Sequence, residues 1–266
     1  MWIDTHCHVT ASKFDDDRED VLARARESGV DLLVAIGSGY GIAGNAAAVE
    51  LADRVPGIIA AVGVHPHEAS ELDDTNRAAV RDLLAHPRVK AVGECGLDYH
   101  YMNSPRETQI SVLREQLALA REVDMPVVIH VRGDEPNSYD DLLDAWIEIG
   151  EGQLDGVLHC YTGTLPFAQR ALEHRFYVSF SGIVTFKRSD DLRAVAQGLP
   201  LERLMVETDA PFLAPQGHRG RRNEPAWVPL VGETLANLHE TSVDEVARVT
   251  SENARRFFRI DGEDDA

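Results

Sequence analysis

Short apolar runs recur along the chain roughly every 20 to 40 residues, with polar stretches of helical period between them. The runs predict strands at 2–6, 31–36, 58–63, 89–93, 127–130, 155–159, 176–180 and 203–207. Most are apolar on both faces, as strands of a buried parallel sheet are. The gaps predict helices at 16–28, 41–54, 74–85, 106–122, 138–149, 166–174 and 189–197, and two more follow at about 224–239 and 243–258. Ser70 to Asp74 and Asn103-Ser104-Pro105 carry cap-like helix starts, with Pro105 near a first turn. Eight strands alternating with helices specify an α/β fold, a (β/α)8 TIM barrel. The competing fold, a doubly wound open sheet, wants a glycine-rich phosphate turn after the first strand. THCHVTASK at 5–13 has none.

No low-complexity linker divides the chain, so residues 1–266 read as one domain with an acidic tail at about 260–266. No 18-residue apolar run is present, so no membrane span is expected. The start lacks a basic segment followed by an apolar core and does not resemble a signal peptide. Cys7, Cys95 and Cys160 show no C-x-x-C spacing, which argues against a disulfide framework and for a cytoplasmic setting. All three are expected as small buried residues, with Cys7 and Cys160 turned towards the helices.

Charge changes the picture. Forty-five acids face 26 bases, a net charge of −19, which argues against a protein that binds long polyanions through its overall field. The excess reads as a solvated surface suited to high salt, where screening is short-ranged; unchanged thermal stability between dilute buffer and molar KCl would count against that. No obligate protein partner is evident.

The chemistry of such a barrel sits where its strands end. His6 and His8, one residue apart on a strand, share a face with Cα atoms roughly 6.5–7 Å apart. Alone, the pair is as readily two hydrogen-bonded core histidines as two metal ligands. Strand three runs into His65 and His67, strand four into Glu94, strand five into His130 and strand six into His159. Strand eight supplies Glu207 and Asp209. Six of the 11 histidines thus fall at four strand ends. Such a ring is costly to bury uncompensated, and cations remove that cost. Four imidazoles and two carboxylates exceed one tetrahedral ion and suit two divalent ions such as Zn, Mn or Mg. Glu207 either orients a ligand from beneath or is a hydrogen-bonded buried carboxylate.

These segments together resemble a known family. The strand-one H-x-H, GVHPH at 63–67, GECGLDY at 93–99, VVIHVR at 127–132, LHCYTG at 158–163, ETDAPFLAP at 207–215 and HRGRRNEP at 218–225 are similar to the TatD-type metal-dependent hydrolases of the amidohydrolase superfamily. The likeness runs from residue 1 to about 258. It implies His6 and His8 on one metal and Glu94 bridging to a second, held by His130 and His159. Asp209 would reach the first metal and the catalytic water. Gln216 stands where the family usually has Pro, and Arg221 where Lys is usual. The resemblance further implies a deoxyribonuclease-like enzyme cleaving phosphate esters, with DNA ends or single strands as substrate. Relatives that bridge metals through a carbamylated lysine are disfavoured, because Lys90 lies at the start of strand four.

Around this core, His65 is expected near the substrate phosphate, or in a structural role, and His67 is left even. Arg219 and Arg222, in the densest basic run, are expected to grip phosphate, since loops after strands seven and eight often do so, or else to belong to an ordinary arginine-bearing surface loop. Tyr99, Tyr161 and Trp227 are read as packing residues before base-stacking ones. Two other functions compete: a metallohydrolase of another small ester or amide, such as a lactone or aminoacyl ester, and a nonenzymatic binding barrel.

Overall fold

All eight expected strands are present in a computed structural model of the protein, which describes residues 1–133 and 137–260. They are β1 (Trp2–Cys7), β2 (Val30–Ile36), β3 (Ile58–Val62), β4 (Val89–Asp98), β5 (Val127–Arg132), β6 (Gly156–Leu158), β7 (Phe176–Phe180) and β8 (Leu204–Val206). Each pairs in parallel with the next, in the order β1 to β8. A bridge between Cys7 and Ala210 closes the ring, and Asp209 N donates to His6 O at 2.9 Å across the same seam.

Helices α1 (Arg18–Glu27), α2 (Gly44–Arg54), α3 (Asp74–Leu83), α4 (Arg106–Glu122), α5 (Asn137–Gly150), α6 (Leu165–Glu173) and α7 (Asp190–Gln197) alternate with the strands, and α8 (Val228–Leu238) and α9 (Val243–Phe258) follow. Local chemistry fixes their starts. Asp73 caps α3 by accepting from Asn76 N, and Ser242 caps α9 by accepting from Glu245 N at 3.1 Å. The element expected at 224–239 opens instead as a 3-10 turn, Pro225–Trp227, before α8. Pro225 and Pro229 lack the N–H groups a continuous helix needs beyond its first turn.

Strand alternation sorts the apolar side chains into two cores. Leu32, Val34 and Ile36 of β2 point inside the ring with Ile3, Ile59, Val128, Val157 and Met205. Leu33 and Ala35 point outwards, into the layer shared with the helices. Phe257 and Phe258 of α9 join the inner cluster and plug one end of the barrel. No helix among the described residues is long and apolar enough to cross a membrane. The expected acidic tail lies, beyond Ile260, outside the described residues.

One strand differs usefully from expectation. β4 continues to Asp98, five residues past the expected end at 93. The extension pairs Gly96 with His130 of β5. Gly96 has φ +146, and a Cβ there would fall 1.8 Å from the His130 carbonyl oxygen, so only glycine admits this approach.

Candidate metal centre

At the open end of the barrel, the expected groups converge. His6 is fully buried and His8 nearly so, their ring centroids 5.2 Å apart. Glu94 lies between two sets of imidazoles. Its Oε2 faces His6 Nε2 at 3.4 Å and His8 Nε2 at 3.9 Å. Its Oε1 faces His159 Nε2 at 2.8 Å, His130 Nδ1 at 2.9 Å and His65 Nε2 at 3.5 Å. Asp209 joins the first set, with Oδ1 3.6 Å from His8 Nε2 and 3.9 Å from His6 Nε2. Three overlapping groups of donor atoms can each hold a cation: His6, His8 and Asp209; His6, Glu94 and His159; and His65, Glu94 and His130.

Three further carboxylates brace these donors from behind. Glu207 takes His159 Nδ1 at 3.2 Å and accepts Cys160 N at 2.8 Å, contacts that both of its readings allow. Asp98 faces His130 Nε2 at 3.1 Å and His67 Nε2 at 2.9 Å through Oδ2, while Oδ1 accepts the backbone N–H of His100 and Tyr101. Asp4, buried within β1, accepts Thr208 N at 2.9 Å and so anchors the segment that carries Asp209. Asp98 and Asp4 had no assigned role in the sequence. The period-two step from Glu94 through Gly96 to Asp98 is the signal that finds the first, but only once β4 is extended.

The donor chemistry fits divalent cations. His6 Nδ1 and Nε2 and His8 Nδ1 are buried without a hydrogen-bond partner. His130 and His159 are each flanked by carboxylates at both ring nitrogens. One flank holds the ring's N–H, and on the other the imidazole lone pair meets carboxylate oxygen unless a proton or a cation lies between. Burial pushes His8 down to about 3 and His65 to about 4, keeping them neutral as ligands must be. Burial would also depress His159, but Glu94 and Glu207 overcome it and hold the ring well above its usual range. Desolvation pushes Asp209 up to about 8, only partly offset by His159. Glu94, despite its burial, is held well below the usual carboxylate range by His159, His65 and His6.

A cavity of about 480 Å³ opens above these groups, walled by Tyr40, Phe212, Tyr101 and Arg132. Tyr40 and Phe212 lie nearly parallel, 10° apart with centroids at 6.1 Å, and both are exposed. None of these four was singled out in the sequence, because single aromatics and an arginine carry no pattern before the loops are placed.

Some of the remaining expectations part from the structure in informative ways. Arg222, expected on the substrate phosphate, is spent elsewhere. It pairs bidentately with Asp17 at 2.7 and 2.8 Å and donates to Lys13 O. Arg219 lies over the Phe186 ring at 3.7 Å, and neither arginine lines the cavity. Acidic and aromatic neighbours captured both side chains. Cys160 was expected to face the helices, yet it lines the cavity with Sγ 3.2 Å from Ser181 Oγ. β6 ends at Leu158 and Cys160 has φ 44, so strand alternation no longer governs it. Cys7 and Cys95 are fully buried. Tyr99 donates to Asp141, Tyr161 is buried, and Trp227 stacks on His218. His67 contacts Asp98 from the rim of the cavity.

Barrel, histidine ring and bracing carboxylates define the class of metal-dependent hydrolases. A family model for TatD related DNase matches residues 3–259, and the chain belongs to that family. It is 40% identical to the metal-dependent hydrolase YabD of Bacillus subtilis, over 98% of this chain and 100% of that one. It is 37% identical to the 3'-5' ssDNA/RNA exonuclease TatD of Cronobacter turicensis, over 96% and 97% of the two chains. The crystal structure of YJJV, a TatD homologue from Escherichia coli K12, superposes with a TM-score of 0.90 at 30% identity, covering 98% of each chain.

Proposed function

We propose that the protein is a two-cation phosphodiesterase acting on the ends of single-stranded nucleic acid. The observation that carries this reading is the division of labour on Glu94: one oxygen faces His6 and His8, the other His130, His159 and His65. A carboxylate so placed could serve two ions, for which His6, His8 and Asp209 would hold the first, and His130 and His159, with His65 beside them, the second. Divalent ions there would polarise a phosphoryl oxygen and lower the pKa of a water towards about 7.

The chain's own groups do the rest. Asp209 is a buried carboxylate whose side chain keeps 13% exposure to the cavity, so it can accept the proton of an attacking water and pass it to the leaving oxygen. Asp98 and Glu207 hold His130 and His159 in orientation, and the cavity walls exclude bulk water. A net charge of −19 repels long duplex away from the mouth, which favours ends and single strands. The exonuclease named among the relatives points the same way. Three free cysteines, two of them buried, suit a cytoplasmic setting.

The test is a substrate panel: metal-loaded and EDTA-treated enzyme on single-stranded DNA, duplex DNA, bis(p-nitrophenyl) phosphate, lactones and nitrophenyl carboxylic esters. Metal-dependent cleavage of the phosphodiesters, single strand above duplex, is expected. Hydrolysis confined to the carboxylic esters and lactones overturns the proposal.

A further inference from the structure

Beside the metal-centre cavity lies a second hollow of about 830 Å³, and the two share Arg132, Thr162 and Ile183 along one edge. Polar groups around the second hollow include Arg188, His100 and Ser189; Asp191 is the one acidic side chain among its described lining residues. Many arginines of this acidic surface are taken up by carboxylates, as with Arg24 and Glu224, Arg81 and Glu122, or Arg106 and Asp141. Arg132 and Arg188, like Arg219, are not. Both are exposed, and among the described residues neither is engaged by a carboxylate. Arg132 lies instead over the Tyr101 ring at 4.8 Å, at the junction of the two hollows.

Two guanidinium groups that no described carboxylate engages line this one hollow. Guanidinium forks match phosphate oxygens bidentately. Hydroxyls such as those of Thr162 and Ser189 commonly add contacts to phosphate and sugar. The hollow is also too large for one phosphate group and adjoins the reaction cavity at Arg132, Thr162 and Ile183.

We propose that this second hollow binds the phosphodiester adjacent to the one cleaved, held by Arg188 with Arg132 at the junction, so that a strand lies along both hollows. The inference rests on reading the metal centre as a phosphodiesterase. It adds a substrate length requirement that the metal ligands alone do not impose: a substrate with a second phosphate is preferred over one without.

Steady-state kinetics of metal-loaded Arg188→Ala, Arg188→Lys and a distant control, Arg256→Ala, on oligothymidylate and on bis(p-nitrophenyl) phosphate test this. The first substrate has further phosphates and the second has none. For Arg188→Ala, the ratio of kcat/KM on oligothymidylate to that on the small diester is expected to fall roughly tenfold or more, mainly through KM. The salt dependence of log KM should become shallower by about 0.7, one lost contact on a single strand. Arg188→Lys should recover part of the ratio. An unchanged ratio in Arg188→Ala, or the same fall in Arg256→Ala, overturns the subsite and leaves the phosphodiesterase reading intact. A wild type that cleaves neither substrate removes both.

Discussion

Asp98→Asn isolates how much the bracing carboxylate contributes to the centre. The substitution is nearly isosteric, yet Asp98 is used on both sides. Oδ1 accepts two backbone N–H groups, His100 at 3.0 Å and Tyr101 at 2.8 Å, and Oδ2 faces His130 and His67. An asparagine has only one oxygen. Turning its NH2 towards the two backbone donors sets donor against donor and loses both of those hydrogen bonds, at about 1 kcal/mol each. The amide therefore keeps its oxygen on the backbone and presents NH2 to the histidines. His130 must then offer its lone pair at Nε2 and carry its proton on Nδ1, the nitrogen that faces Glu94 at 2.9 Å and is needed for a cation. Loss of such an orienting partner typically costs 10–100-fold in metal affinity or activity, about 1.4–2.7 kcal/mol. Chelator-competition titration of Zn or Mn, with turnover on bis(p-nitrophenyl) phosphate and a melting curve for fold, measures it. His67→Ala, which leaves the Asp98–His130 contact in place, should cost much less. Wild-type affinity and turnover in a folded Asp98→Asn protein would refute the tautomer argument.

Asp209→Asn should keep the fold and lower kcat by about 10²–10⁴-fold, the range for a displaced general base; near-wild-type turnover on the same diester would remove it from that role. Arg222→Ala breaks the pair with Asp17 and should lower stability by up to about 1 kcal/mol while leaving KM for oligonucleotide nearly unchanged; a large KM rise would return Arg222 to the substrate. Phe212→Ala removes one half of the exposed aromatic shelf beside His8. It should raise KM for single-stranded DNA by the equivalent of about 1–3 kcal/mol if a base stacks there, with little change on a substrate lacking bases.

The barrel was legible because its signal is repetitive: apolar runs of strand length, spaced by helices, survive errors at any single boundary. The convergence of side chains at strand ends was legible for the same reason, since parity and strand position fix where His6, His8 and Glu94 point. What failed did so where periodicity stops. Cys160 lies past the end of β6 with a left-handed backbone, and no alternation reaches it. Asp98 was hidden by a strand that runs on through two glycines, Gly93 and Gly96, residues that weaken any strand pattern. The contacts of Arg219 and Arg222 were hidden because a basic run does not disclose its neighbours; Asp17 is 205 residues away from Arg222 in the chain. Arg132, by contrast, stood inside the quoted VVIHVR and passed unnoticed, since only the junction of two hollows gives it meaning.

The seam between β1 and β8 has a consequence for synthesis. His6 and His8 are made well before Asp209, which reaches them only when the end of β8 closes against β1. A chain that stops short of β8 therefore cannot bring these three donor groups together.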